Sequence, residues 1–263
     1  MNQHLALTSA DSARQLMNLI ALPASLAVAV GSLGHVNDVD GVGGTLLAAA
    51  PGAVFIWLPL FAWTLLYAVW QALPAQRESP LLRTVGWWTA SAAAGSAVAT
   101  LCLQRDPWRA PNVVVAGLCT VAVVFALLQV ERGSRGVVGD EQGMVRAPFG
   151  LHLGWTCVAA LLHGAQVLDH WLPAARVSGI DPIVAIVVAI ASLVVVSWAG
   201  IALVLLRQNR WAGVAIAWGL GAIAVQREDV PSIAFLAWVG AVVVVVALLA
   251  SLFVFAEPQG QSS

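Results

Sequence analysis

Eight apolar runs, separated by short polar turns, set the pattern of this chain. They cover residues 13–33, 53–73, 84–103, 112–130, 149–167, 182–206, 211–225 and 232–255. Most approach the roughly 20 residues that a helix needs to cross the hydrocarbon layer of a bilayer. The pattern predicts an all-α fold: a polytopic transmembrane helical bundle of about eight spans, with polar tails at residues 1–12 and 256–263. Ser12 or Asp11 is placed to cap a helix from Ala13. A cleaved signal peptide is the rival for the first run, but its single, late Arg14 makes a poor charged start. Pro23 and Pro59 fall inside spans, where Pro59 can bend the helix. The run 211–225 is short for a span.

The fifth run is the least uniform. It is apolar enough to span, yet it carries His152, His163 and Gln166, with Asp169 and His170 at its far end. At about 100° per residue the three histidines fall within about 20° of one another, on one stripe. Lipid offers such groups no partner, so the stripe should face the protein interior. Two other runs carry small-residue faces suited to close packing: Ala92, Ser96 and Thr100 in the third, and Gly213, Ala217 and Gly221 in the seventh. The sixth, rich in Val, should be the most lipid-exposed. Several of the twelve tryptophans lie near span ends as interfacial anchors, whereas Trp63, Trp155, Trp198, Trp218 and Trp238 lie deeper and can line a cavity.

Composition narrows the class. The 263 residues are 60% hydrophobic and 10% charged, with a mean hydropathy of +0.87, against about 25% charged in soluble domains. A net charge of −1 lacks the basic stripe that nucleic acid requires. There is no lysine, which excludes a lysine Schiff base and a phosphate-loop lysine. Cys102, Cys119 and Cys157 lack metal-ligand spacing and read as small core residues. Asp38-x-Asp40-Gly41 hints at calcium but lacks the distal Glu, and reads as a solvated turn in a loop over 34–52. Residues 131–147 read as the most charged loop. With eight spans, eight arginines (Arg14, Arg77, Arg83, Arg132, Arg135, Arg146, Arg207, Arg210) fall on the side of both termini and four (Arg105, Arg109, Arg176, Arg227) on the other. The positive-inside tendency predicts a multi-pass protein of the cell membrane with both termini cytoplasmic.

Several stretches, taken in order, resemble the tryptophan-rich sensory protein family, also called the translocator or peripheral benzodiazepine receptor family (TspO/MBR), in its long bacterial branch. Pro148-Phe149, Leu153-Gly154-Trp155 and Val158-Ala159 are similar to that branch's fifth helix. Phe55-x-Trp57 through Gln71-Ala72-Leu73-Pro74 resembles its second. Gln76-Arg77-Glu78-x-Pro80 with Gly86-Trp87-Trp88 resembles the next loop and third helix, and Ala217-Trp218 with Gly221 a pair in the added C-terminal spans. The resemblance implies a five-helix bundle over 13–172 and three additional helices over 182–255. It also implies a cavity for tetrapyrroles, such as porphyrin or haem, and other hydrophobic ligands. Carried over, its lining includes Trp57 and Phe61 on the second helix and Trp155 with its neighbour Ala159 on the fifth. The chain departs from the family at His152 (usually Tyr), His163 (usually Asn), Ser96 (usually Asn) and Ala99 (usually Trp), which puts more imidazole on one wall and more space on another.

The expected site is therefore Trp57, Phe61, His152, Trp155, Ala159 and His163. His152 and His163 lie eleven residues apart, about 16 Å along a helix, so at most one of them can serve as the axial ligand of a single haem iron. Each can instead hydrogen-bond a neighbouring helix in a packing role, at about 0.6 kcal/mol, or form part of a proton path. The expected function is binding or sensing of a hydrophobic ligand, with no catalysis and no required cofactor. Transport of such a ligand is the alternative, although no inverted repeat is visible. A membrane enzyme acting on porphyrin is the third, with only Asp169-His170 suggestive. The expected partners are the bilayer and the ligand, and the small-residue faces permit a homodimer.

Overall fold

A computed structural model describes residues 9–33, 46–105, 110–135, 139–171 and 182–254, and every regular element among them is helical. The elements are α1 (Ser9–Leu33), a 3-10 turn (Pro51–Ile56), α2 (Trp57–Ala72), a 3-10 turn (Pro74–Gln76), α3 (Pro80–Arg105), α4 (Ala110–Gly133), α5 (Asp140–Trp171), α6 (Pro182–Leu205), α7 (Arg210–Gln226) and α8 (Pro231–Val254). Six of them are long and apolar enough to cross a membrane. The other two are α3, diluted by Thr, Ser and Gly, and α7, with 17 residues. The loop holding Asp38 and Asp40 lies outside the described residues, as do Arg109 and Arg176.

Two boundaries differ from the sequence pattern. The first helix is already formed at Ser9, so neither Asp11 nor Ser12 caps it. The Asp11 carboxylate instead accepts two bonds from Arg83, from Nε at 2.9 Å and Nη2 at 2.6 Å, tying the start of α1 to the start of α3. That bond also holds the Arg83 guanidinium above its ordinary pKa. The charged loop expected over 131–147 is mostly helix: α4 runs on to Gly133 and α5 begins at Asp140. Continuing a helix past the apolar run satisfies backbone groups at the membrane edge, and the residual turn uses Gly139 at φ +86°.

The centre of the bundle is α5. In its apolar window 61% of residues are buried, the largest share among the six candidate spans, against 22% in α6. Helices α2, α4, α6 and α7 pack around it. Glycine makes the α5–α7 contact possible. A Cβ on Gly154 would run into the carbonyl of Ala212, one on Gly150 would meet Asn209 and Trp211, and one on Gly219 would lie 2.6 Å from Val158 Cγ1. Such close approach is how helices associate where lipid removes the hydrophobic drive. Asn209 starts α7, its Oδ1 accepting the Ala212 N–H at 3.1 Å. The packing face of α7 is not the predicted Gly213/Ala217/Gly221 stripe as a whole. Gly213 meets Val204 and Leu248, but a Cβ on Gly221 would meet open space, and the buried face runs through Ala212, Ala215, Ile216, Gly219 and Ile223.

Helices α1, α2 and α3 are joined by polar groups instead. Gln15 donates to the carbonyls of Gln71 (2.8 Å) and Leu73, and Gln71 donates back to that of Gln15. Asn18 donates to the Gly86 carbonyl at 2.7 Å and accepts from Thr89 Oγ1 at 2.6 Å; Thr89 in turn meets the Tyr67 hydroxyl at 3.2 Å. Buried Arg14 donates to the Arg77 carbonyl, and Gly86 leaves room for its stem. Of the deep tryptophans, Trp155 is buried, but Trp198 and Trp238 are 65% and 47% exposed and face outward rather than lining a cavity.

The glycine contact gives a direct test. Gly154→Ala should lower stability by about 1–3 kcal/mol through overpacking, read as an earlier midpoint of unfolding in mixed micelles. Gly221→Ala should stay within about 0.5 kcal/mol of the parent. Equal midpoints for the two variants would remove the α5–α7 contact from this account.

Candidate functional site

Trp57 and Phe61, one helical turn apart on α2, share a face that meets α5. Their ring centroids are 5.1 Å apart and tilted by 46°, and Trp155 of α5 stands edge-on to Trp57 at 6.0 Å and 75°. Each such pair contributes about 0.5–1.5 kcal/mol beyond its buried area. Trp155 is buried, while Trp57 and Phe61 are half-buried, so the cluster opens to one side. Towards the arginine-rich end it is continued by Tyr67, whose ring meets Phe149 edge-on at 4.8 Å and 89°. Tyr67 was absent from the expected site. The available signal was that a lone phenol in an apolar run needs a hydrogen-bond partner, and Thr89 is that partner.

One turn before Trp155, His152 is half-buried, and its Nε2 lies 3.1 Å from Ser96 Oγ of α3. This pair links α3 to α5 and places the family departures at 96 and 152 in contact. Thr156 donates to the carbonyl of His152 at 2.7 Å, closing its own polar group within α5. Ala159 lies one turn beyond Trp155 and is half-buried. Of the two described histidines of the stripe, His152 is thus half-buried and His163 exposed. The side chains of Gln166, Asp169 and His170 lie outside the described residues.

Of the three C-terminal helices, α7 also reaches this region. Trp211 meets Trp63 at 4.9 Å and 66°. Trp218 Nε1 donates to the Ala53 carbonyl at 3.3 Å, and the Ala50 N–H donates to the Ala222 carbonyl at 2.9 Å. The segment leading into Trp57 is thereby held by α7. Among the described residues no group of three or more His, Cys, Asp or Glu side chains could hold a metal ion. Cys102, Cys119 and Cys157 are free, half-buried thiols. A narrow, shallow cleft lies elsewhere, at the arginine-rich end between α4 and α5.

A family model described as TSPO-like protein matches residues 15–250. No curated protein and no solved structure matches the chain.

The Ser96–His152 contact should register as a coupling of about 0.6 kcal/mol, typical of interhelical bonds within membranes. A double-mutant cycle of Ser96→Ala and His152→Phe, followed by unfolding in mixed micelles, measures it. Strictly additive effects would reduce the contact to mere proximity.

Proposed function

Since the chain belongs to the TSPO-like family, the match extending from α1 into α8, we propose that its α2–α5 face binds a hydrophobic, planar ligand of the tetrapyrrole class. The family and the apolar helices make it a multi-pass membrane protein of a ligand-binding, sensory kind. The observation that carries the finer reading is the Trp57–Phe61–Trp155 cluster, three rings from two helices with one side open. Indole and phenyl faces match an extended apolar macrocycle. His152, at the edge of the cluster, supplies a polar contact to a pyrrole nitrogen or a carboxylate once it releases Ser96.

The residues present fit such a ligand by stacking and hydrogen bonding. His152 is the better-placed imidazole for iron, because His163 is exposed and about 16 Å further along the helix. The ligand enters by separating Trp57 from Trp155, and neither partner acts as an acid, base or nucleophile in the process. The protein is read as binding and reporting the ligand without turnover. The arginine-rich ends of the helices, which carry Arg83, Arg135, Arg146 and Arg207, support an inner-face location for both termini.

Titration of the purified protein with protoporphyrin and with haem, followed by the Soret band, tests the reading. Trp155→Leu should weaken both by roughly tenfold, corresponding to about 1.4 kcal/mol. His152→Ala should spare protoporphyrin more than haem and move the haem Soret band. Binding unaffected by Trp155→Leu would place the ligand away from α2 and α5.

A further inference from the structure

The cleft at the arginine-rich end has a chemistry of its own, unconnected with the aromatic cluster. It lies where three candidate spans finish or begin, at Gly133, Gly143 and Leu205. Its mouth is formed by the end of α4, the start of α5 and the α6–α7 turn, and its inner wall is apolar: Leu127, Val130, Val145 and Phe149. Four guanidinium groups converge around it. Arg135 donates to buried Glu131 from Nε to Oε1 at 3.1 Å and from Nη2 to Oε2 at 3.3 Å, and Arg207 Nη1 lies 3.7 Å from that same Oε2. Arg146 Nη2 donates to the carbonyls of Arg207 and Gln208, at 3.0 Å each, capping the end of α6. Arg210 is fixed on α8 through Ser251 Oγ and carbonyl.

Arg135 and Arg207 share one buried carboxylate, so this pair of guanidinium groups carries a net positive charge at the ends of the candidate spans. Glu131 and two carbonyls fix the guanidinium groups but do not neutralise them. The Arg135 and Arg207 side chains remain 45% and 33% exposed, so both present free donors outward. A cationic rim at the ends of apolar spans matches a phosphodiester, and arginine is the side chain best shaped for phosphate. Basic clefts between spanning helices at a headgroup level bind anionic lipid in this way. We propose that this rim binds the headgroup of an anionic phospholipid, its phosphate held by Arg135 and Arg207.

The test uses the full chain, purified from nanodiscs containing equal phosphatidylglycerol and phosphatidylcholine, with retained lipid counted by native mass spectrometry. The parent protein should retain phosphatidylglycerol in preference. Arg135→Gln with Arg207→Gln should reduce that retention roughly 10–30-fold, and Arg77→Gln, an exposed arginine at the same end, should leave it unchanged. Glu131→Gln removes the one opposing charge and should raise retention, an outcome that damage to the fold would not produce. Equal retention of the two lipids, or a double variant indistinguishable from the parent, would overturn the proposal. Displacement of phosphatidylglycerol by excess inorganic phosphate would also overturn it, assigning the site to a free anion.

Discussion

Backbone against backbone, at Gly154 of α5 and Ala212 of α7, is the contact on which the arrangement of this protein depends. Between helices in lipid there is little hydrophobic gain, because the acyl chains are as apolar as the side chains. Cohesion comes from how closely two helices approach, and an atom as small as Cβ at residue 154 would collide with the facing carbonyl. Gly150 and Gly219 extend the same close approach above and below. This explains why α7, too short at 17 residues to be a comfortable span, nonetheless occupies an interior position. Its neighbours α5, α6 and α8 surround it, and its small residues, rather than its length, qualify it for that place.

Across the bundle, the opposite solution holds α1 to α2 and α3. Gln15, Gln71, Asn18, Thr89 and Tyr67 form a nearly continuous chain of bonds in a region with few alternatives to them. Each bond adds only about 0.6 kcal/mol, but leaving any partner unpaired costs about 1–3 kcal/mol. The network therefore acts mainly on register: one turn of sliding between α1 and α3 would separate Asn18 from Gly86 and Asp11 from Arg83 together. Two chemistries, glycine contacts on one flank and side-chain amides on the other, hold a bundle whose lipid-facing helices carry little beyond Val, Ala and Leu.

How much of this was legible in the sequence follows from the same distinction. Helix α5 stood out because histidines and a tryptophan interrupt an apolar run, and the Pro148-to-Ala159 motif points to the family that the comparison then establishes. The all-helical fold follows from run length alone. What the pattern misses is direction. A small-residue spacing of four in α7 marked a plausible face, but which face meets a neighbour depends on what α5 presents, and the buried set turned out to include Gly219 rather than Gly221. Indoles at depth are equally ambiguous, since an amphipathic ring suits lipid or protein: Trp155 went inward, Trp198 and Trp238 outward. His163 shares the stripe of His152 but is more exposed, because periodicity fixes the angle around a helix and says nothing about what packs against it at each turn. The Ser96–His152 contact was present in the sequence only as two separate departures from a family pattern.

These constraints also determine which part of the candidate site can yield to a ligand. Helix α5 is clamped through Gly150, Gly154 and Val158 against α7, and Phe149 fills the space between Tyr67 and the cleft at the arginine-rich end. A shift of α5 large enough to admit a macrocycle would break all of these at once. On the α2 side Trp57 and Phe61 are half-buried, and the turn before them, which buries Ala53 and Ile56, is tied to α7 by two hydrogen bonds, from Trp218 to Ala53 and from Ala50 to Ala222. Because both of those bonds join it to α7, that helix constrains the turn that leads into Trp57 and the aromatic cluster.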